Sequence, residues 1–369
     1  GTNASTELQH DVQSFGAKAV NHLSNKLMIG LFSPARSFFR LDVADVMKEK
    51  LAASGMEETE MQKSLQKAEK EANKELDRAG AREPFTMLLQ LLIVAGDALL
   101  YMPEDDKIQV YNLRDYVVAR DITGRYVRVI VKDSKKFQFL PKDIREELTA
   151  KKGTTFDDDH DIDLFTDIRW DSDRDKYLID QYAEDIKVSK VQGIYTEDTC
   201  PYIPLAWKLV RGENYGRGLV EDYSGDFHSL STGETAILEL FGIISQIKGL
   251  VDPAGLTDVH ELNGAANGQW CSGREQDIGL LSFDKVGDLQ AIDSINTRKE
   301  RRLSQAFLMD SAGIRDAERV TAEEVRVVAR DLEMALGGVY TRLAQTFQLP
   351  VAKLLLRRIN FKLGNNMVE

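Results

Sequence analysis

Cysteine is nearly absent from this 369-residue chain, which holds only Cys200 and Cys271. Two thiols exclude a disulfide scaffold and any all-cysteine metal site. Histidine is scarce too. His10, His22, His160, His228 and His260 are scattered, and none stands in a recognisable relay with a nucleophile. Long hydrophobic runs are missing: the longest, Phe85 to Ala95, has 11 residues and includes Thr86 and Gln90. A spanning helix needs about 20, so no membrane span is expected. No basic segment followed by an apolar one opens the chain, so no secretory signal is read there. The chain starts at Gly1-Thr2-Asn3 without a Met, as expected of a fragment of a longer product. Positive charge is in deficit, with 48 Lys plus Arg against 60 Asp plus Glu and a net charge of −12. Such a chain does not coat nucleic-acid phosphates by overall charge, and any contact with DNA must come from local features.

The chemical motifs are missing as well. There is no G-x-x-x-x-G-K-[ST], no G-x-S-x-G and no H-E-x-x-H. Gly216 and Gly218 form a lone G-x-G, read as a strand-to-helix turn rather than a dinucleotide site. Ser64-Leu65-Gln66-Lys67 matches S-x-x-K but falls inside a charged helical run. The only metal-like cluster is Asp157-Asp158-Asp159-His160-Asp161. It lacks the glycine and terminal glutamate of a calcium loop and follows a Lys/Gly/Thr stretch, so a solvated surface loop is expected, with no metal. No catalytic residue and no cofactor is assigned.

What is present is ordinary globular composition, 43% hydrophobic and 29% charged, enough for about two or three domains. Leu8, Val12, Phe15, Ala19, Leu23 and Leu27 recur at helical spacing, and Gly30 and Pro34 should end that helix. A charged helix is expected over 57–78, and Pro84 opens an apolar one to Ala95. The period then shortens. Strands are expected at 98–102 and 108–112, a hairpin at 116–131, a short helix from Pro141, and a second hairpin from 162 to 182. More strands are expected near Val188 and over 203–210. Helix returns from Gly218 to Lys248, with 252–278 as a Gly/Asn/Asp/Ser-rich excursion. Helices from Leu289 to Met309 and from Thr321 follow. Thr321 and Glu324 match a capping box, Gly337-Gly338 is a candidate bend, and Pro350 starts a last helix. The fold class is α+β.

Three stretches carry a resemblance. They are Leu23 to Met28 with Leu31-Phe32-Ser33-Pro34; Cys200-Pro201-Tyr202-Ile203-Pro204 with Gly212 to Arg217; and Glu318 to Arg326 with Leu336-Gly337-Gly338-Val339-Tyr340. Leu250 to Gly255 and Phe85 to Gly96 add smaller matches. In this order along the whole chain, they resemble the portal, or head-to-tail connector, proteins of short-tailed podoviruses of the Autographiviridae type.

The resemblance implies a portal-protein fold. Its parts would be a mixed α/β wing over 1–216 (helical layer 1–96, β-rich region 98–211), a first stem helix over 217–248, and a small clip over 249–286. A second stem helix over 287–309, a tunnel loop over 310–320, and a long radial wing helix with the start of the crown over 321–369 would follow. It implies a dodecameric ring at one capsid vertex, in a virion assembled in the host cytoplasm. Double-stranded DNA would pass through it, without sequence reading, during packaging and ejection. Partners would be the terminase large subunit, the tail adaptor, and the major capsid and scaffolding proteins, with no membrane. Ser311, Gly313, Arg315 and Arg319 would face DNA from the tunnel loop. Asp258, His260, Asn263, Trp270 and Arg274 would serve adaptor or terminase contact in the clip. The family's N-terminal arm and most of its crown would lie outside this sequence. The competing reading is a metal-dependent DNA-processing enzyme of the packaging apparatus using the acids at 157–161. A mainly helical tail adaptor fits less well, because of the β-rich region.

Physics is consistent with a conduit. Every phosphate neutralised adds affinity, so an acidic bore with few cations keeps DNA mobile. Ile237, Leu238, Leu240, Phe241, Ile243, Ile244 and Ile247 make one helix apolar on more than one face, which predicts cover by neighbouring subunits.

Overall fold

The computed structural model describes residues 13–33, 37–43, 58–152, 156–184, 186–244, 248–281, 286–310 and 322–362. The chain divides into two compact units. One joins Gly1–Lys18 to Ser224–Gln305, and the other joins Ala19–Tyr223 to Ala306–Glu369.

The larger unit opens with helix α1 (Phe15–Leu31), whose first turn belongs to the smaller unit. Ala19, Leu23, Leu27 and Leu31 are buried, the spacing of one helical face. Leu8, Val12 and Pro34 lie outside the described residues. α1 ends one residue past Gly30, in keeping with the sequence expectation. The helix continues to Leu31, and a Cβ on Gly30 would lie 2.6 Å from Leu332 Cδ1. The glycine thus also permits close packing near the helix end. Helix α2 (Glu58–Arg78) is the expected charged helix. In α3 (Arg82–Ala95), Pro84 occupies the first turn, where its missing N–H costs nothing. Gly96, at φ 82°, caps α3. Phe32, Phe85 and Phe347 meet with ring centroids 4.9–5.0 Å apart, joining the two ends of the unit's chain in one core.

The β-rich region follows as β1 (Asp97–Tyr101), β2 (Gln109–Tyr111), β3 (Tyr116–Arg120), β4 (Tyr126–Lys136), helix α4 (Lys142–Lys152), β5 (Asp161–Asp171), β6 (Lys176–Ala183) and β7 (Ile186–Tyr195). Then come β8 (Tyr202–Ala206), β9 (Lys208–Leu209), β10 (Gly216–Arg217) and the short α5 (Leu219–Asp222). Strands β3 to β7 form an antiparallel meander in chain order, and β1 lies between β2 and β8 in a second sheet. Tyr116, Val118, Val129, Val131, Ile168 and Ile179 share one core with Leu99, Tyr111 and Tyr202. The opposite face of the meander is a checkerboard of charge. Arg128 and Arg169 are directly paired neighbours, as are Asp167 and Asp180. Like charges oppose, but the diagonals neutralise: Arg128–Asp167 is 2.8 Å, Arg169–Asp180 2.6 Å and Lys187–Asp180 2.9 Å.

The smaller unit holds α6 (Ser224–Ile244), β11 (Lys248–Val251), α7 (Val259–Gly264), β12 (Ile278–Leu281) and α8 (Val286–Ala306). The helix expected from Gly218 to Lys248 is thus interrupted at both ends. Gly218 precedes the separate turn of α5, and Lys248 opens a strand that pairs antiparallel with 278–281. Sequence periodicity missed this two-stranded ribbon because each strand is only four residues long.

The larger unit closes with α9 (Ala322–Leu336), α10 (Gly338–Leu343), a π-turn over 344–348 and α11 (Leu349–Lys362). The bend expected at Gly337-Gly338 is a full break, with Gly337 at φ 51°. The capping residue Thr321 lies outside the described residues.

Candidate functional site

Ser311, Gly313, Arg315 and Arg319 all lie outside the described residues. What the structure gives is the bracing on either side of their segment. On the near side α8 ends, Phe307 is fully buried and Leu308 adopts φ 57°. The Leu308 carbonyl accepts from His22 Nε2 at 3.1 Å. On the far side, Val325, Val328 and Leu332 bury one face of α9. Asp331 Oδ2 lies 3.8 Å from Lys26 Nζ, and the Tyr340 hydroxyl donates to the Gly30 carbonyl at 3.1 Å. His22, Lys26 and Gly30 follow at four-residue spacing, so one face of α1 braces both flanks of the 311–321 segment. Burial holds the Lys26 ammonium below the usual lysine value, with Asp331 opposing that shift. Sequence reading missed this role, treating His22 as one scattered histidine among five. A signal existed: Lys26 sits beside Leu27 and three residues after Leu23, on the buried stripe.

The five clip candidates sit on the excursion between β11 and β12. All five are exposed, Trp270 at 97%. Asp258 accepts from the His260 N–H at 2.8 Å and so caps α7. The Arg274 N–H donates to Thr257 Oγ1 at 2.8 Å. Among the described residues no side chain–side chain bond joins any two of the five, so each is offered as a separate contact. Its organiser is Asp277, a residue the sequence did not single out. Its carboxylate accepts from the Leu256 N–H at 2.9 Å and the Thr257 hydroxyl at 3.0 Å, and its carbonyl from the Asp252 N–H at 2.9 Å. Leu256 and Leu262 are exposed near Trp270 in sequence, at 74% and 40%.

The acidic run forms a framed turn. The Phe137 N–H donates to the His160 carbonyl at 2.8 Å, and Lys136 Nζ lies 2.7 Å from Asp159 Oδ1. That lysine holds the Asp159 carboxyl below the usual carboxylate range. Among the described residues no three His, Cys, Asp or Glu side chains are grouped to hold a metal ion.

The lone G-x-G is a backbone contact. A Cβ on Gly96 would lie 2.5 Å from the Gly216 carbonyl oxygen, and one on Gly218 2.5 Å from that of Val94. Beside them Asp97 is fully buried, accepts from the Gly216 N–H and faces the Arg120 guanidinium at 3.6 Å. Burial pushes its carboxyl up to about 6.

The family described as bacteriophage head to tail connecting protein matches residues 2–362. The portal protein of Escherichia phage T7 is 36% identical over 97% of this chain and 67% of its own length. The chain belongs to this family. The portal proteins of Enterobacteria phage SP6 and Pseudomonas phage phiKMV are each 34% identical, over 67% and 71% of their own lengths. The chain therefore spans about two thirds of the length of these relatives. The portal resemblance read from Leu23 to Tyr340 is that of its family. Among solved structures, the neck of an empty GTA particle computed with C6 symmetry is similar at TM-score 0.42. The identity is 11%, over 92% of this chain and 78% of that one. A likeness that low carries no functional argument. Among the described residues no helix is long and apolar enough to cross a membrane.

Proposed function

We propose that this head-to-tail connecting protein forms a portal ring at one capsid vertex, through which double-stranded DNA is packaged and ejected. The observation that carries this is the match over residues 2–362 together with 36% identity to a portal protein. The protein acts as a structural conduit, not an enzyme. A dodecamer is the expected ring. The wing corresponds to 1–216, the stem to 217–248 and 287–309, the clip to 249–286, the tunnel loop to 310–320 and the radial wing helix to 321–369. The exposed Leu238, Phe241 and Ile243 of α6, at 56%, 56% and 51%, support burial between neighbouring subunits. Trp270 and its neighbours present the clip to the terminase large subunit and afterwards to the tail adaptor. Major capsid and scaffolding proteins meet the wing. Arg315 and Arg319 supply weak cationic contact to DNA from the tunnel loop, with Ser311 and Gly313 giving it turn character.

Negative-stain imaging of purified protein tests the ring: rings with a central hole support it, and a monodisperse monomer at micromolar concentration overturns it. Arg315→Ala tests the loop. It should leave rings intact and impair packaging or retention of DNA. Wild-type packaging, or failure of rings to form, would remove Arg315 from this role.

A further inference from the structure

Helix α8 has one side committed to α6 and one side left open. On the committed side Asn296 is 3% exposed and Leu303 fully buried. A Cβ on Gly233 of α6 would lie 2.3 Å from Asn296 Oδ1, so the two helices approach closely at this glycine. Asn296 Nδ2 donates to Glu234 at 3.0 Å, Lys299 bonds Ser229, and Arg302 pairs with Asp226.

At 3.6 residues per turn, the opposite side of α8 carries Ala291, Ser294, Arg298, Arg301 and Gln305. All five are exposed. No acid lies on this strip, although the chain carries 60 Asp plus Glu. Asp293 and Glu300 fall on the half turned toward Asn296. Arg298 Nε reaches only its own helix, at the Ser294 carbonyl, 3.3 Å away. Among the described residues neither Arg298 nor Arg301 has a carboxylate partner, in contrast to Arg302. Exposed apolar side chains stand on Leu238, Phe241 and Ile243 of α6 and on Ile295, which lies about 60° round α8 from Arg298 and about 120° from Arg301. A neighbouring subunit that covers Ile295 leaves Arg301, about a third of a turn away, in water.

We propose that Arg298 and Arg301 contact the phosphates of duplex DNA, forming a cationic belt on the bore side of α8 distinct from the tunnel loop. The inference rests on the portal reading above. The chemistry fits a moving duplex. Guanidinium groups stay charged and fork onto phosphate oxygens. The two arginines stand about 4.5 Å apart along the helix axis. DNA offers one charge per about 1.7 Å of its own axis, so every register presents a phosphate. Such contacts position without reading bases. The small residues Ala291 and Ser294 leave the part of the strip before Arg298 without a protruding group to catch the backbone.

The test uses assembled rings of the full chain, the variants Arg298→Gln/Arg301→Gln and Arg298→Lys/Arg301→Lys, and two probes. One probe is a linear mixed-sequence duplex of about 30 base pairs, and the other a covalently closed circle that cannot thread a preformed ring. Binding is followed by anisotropy or filter retention from about 50 to 200 mM salt, the range over which phosphate contacts respond strongly. The Gln variant should form rings and bind the linear duplex several-fold more weakly. Its logarithmic salt slope should be shallower by about one for each phosphate that is no longer neutralised. The Lys variant should keep the wild-type slope, and binding of the circle should be unchanged in both. Equal linear binding by wild-type and Gln rings would overturn the belt. So would equal weakening on the circle, which would put the strip outside the bore. Loss of rings in the Gln variant would assign the arginines to subunit contacts instead. Absence of rings in the wild type would overturn the portal reading and the belt together, whereas intact wild-type rings with any of the preceding results overturn the belt alone.

Discussion

His22 Nε2 donates to the carbonyl of Leu308 across 3.1 Å, spanning 286 residues of sequence. A carbonyl only accepts, so this nitrogen carries the proton. The bond fastens a leucine in a left-handed conformation at φ 57°, where a non-glycine residue is disfavoured. It therefore fixes the chain at Leu308, two residues past the end of α8.

His22→Ala should lower stability by about 1 kcal/mol, the net worth of one hydrogen bond. In thermal unfolding this is a loss of about 2–4 °C. A larger effect on DNA retention than on unfolding temperature would mark the bond as positioning the loop.

A second long-range tie is Arg358–Glu75, 2.8 Å apart with side chains 8% and 3% exposed. Arg358 also donates to the carbonyls of Pro103 and Asp106 at 2.8 and 3.0 Å. Removing one partner strands a buried charge. Glu75→Ala should cost about 3–5 kcal/mol in denaturant unfolding. Glu75→Gln, which keeps an acceptor, should cost less.

Asp97 predicts a pH dependence. Its carboxyl titrates near 6 in the folded chain against 3.8 for an unperturbed one, so the folded state holds the proton more tightly. The resulting stabilisation is full below about pH 4 and is lost as pH rises through 6, on the order of 3 kcal/mol in all. Asp97→Asn should remove this fall. The difference in unfolding temperature between wild type and variant should therefore change between pH 4.5 and 7, and a constant difference would contradict the assignment.

Gly96→Ala combines two penalties, a positive φ of 82° and a Cβ placed 2.5 Å from a backbone oxygen. Backbone cannot swing aside as a side chain can. We expect a loss of at least about 2 kcal/mol, visible as a lowered urea midpoint. Gly80→Ala serves as comparison. Its φ is also positive, at 62°, but nothing lies within 4 Å, so it should cost less.

Trp270→Ala should leave unfolding unchanged to within about 0.5 kcal/mol, because the side chain is 97% exposed. Binding of the tail adaptor or terminase to assembled rings should weaken, read by co-sedimentation. Undiminished binding of both would remove Trp270 from the docking surface.

Much of the fold was legible because its period is written locally. The meander follows alternation such as Tyr116–Val118 and Val129–Val131, and α3 follows an apolar run opened by Pro84. Glycines hid their second role where they serve packing. Gly30 reads as a stop and stands at the end of α1, but its packing role was hidden because what it admits, Leu332, is distant in sequence. The β11–β12 ribbon is too short for a period to emerge. Trp270 is exposed on the excursion between β11 and β12, and the surface position of the acidic turn could be read from its composition. The braces could not, because His22–Leu308 and Lys26–Asp331 depend on tertiary proximity.

Most of the smaller unit, Ser224–Gln305, interrupts the chain of the larger one, and Gly1–Lys18 completes it. On the larger unit the flanking side chains of that insertion meet, with the Tyr223 and Phe307 rings 6.2 Å apart. In synthesis, Glu75 must wait for Arg358, and Phe85 for Phe347, so the larger core is closed last by the chain's final helices. Long loops add closure cost only slowly with length, which lets such an interruption persist. The same adjacency makes the insertion excisable: starting the chain at Ala19 and joining Tyr223 to Ala306 through a few glycines should yield a self-standing body. That body should refold faster than the whole chain, since its two halves would find each other across a shorter tether.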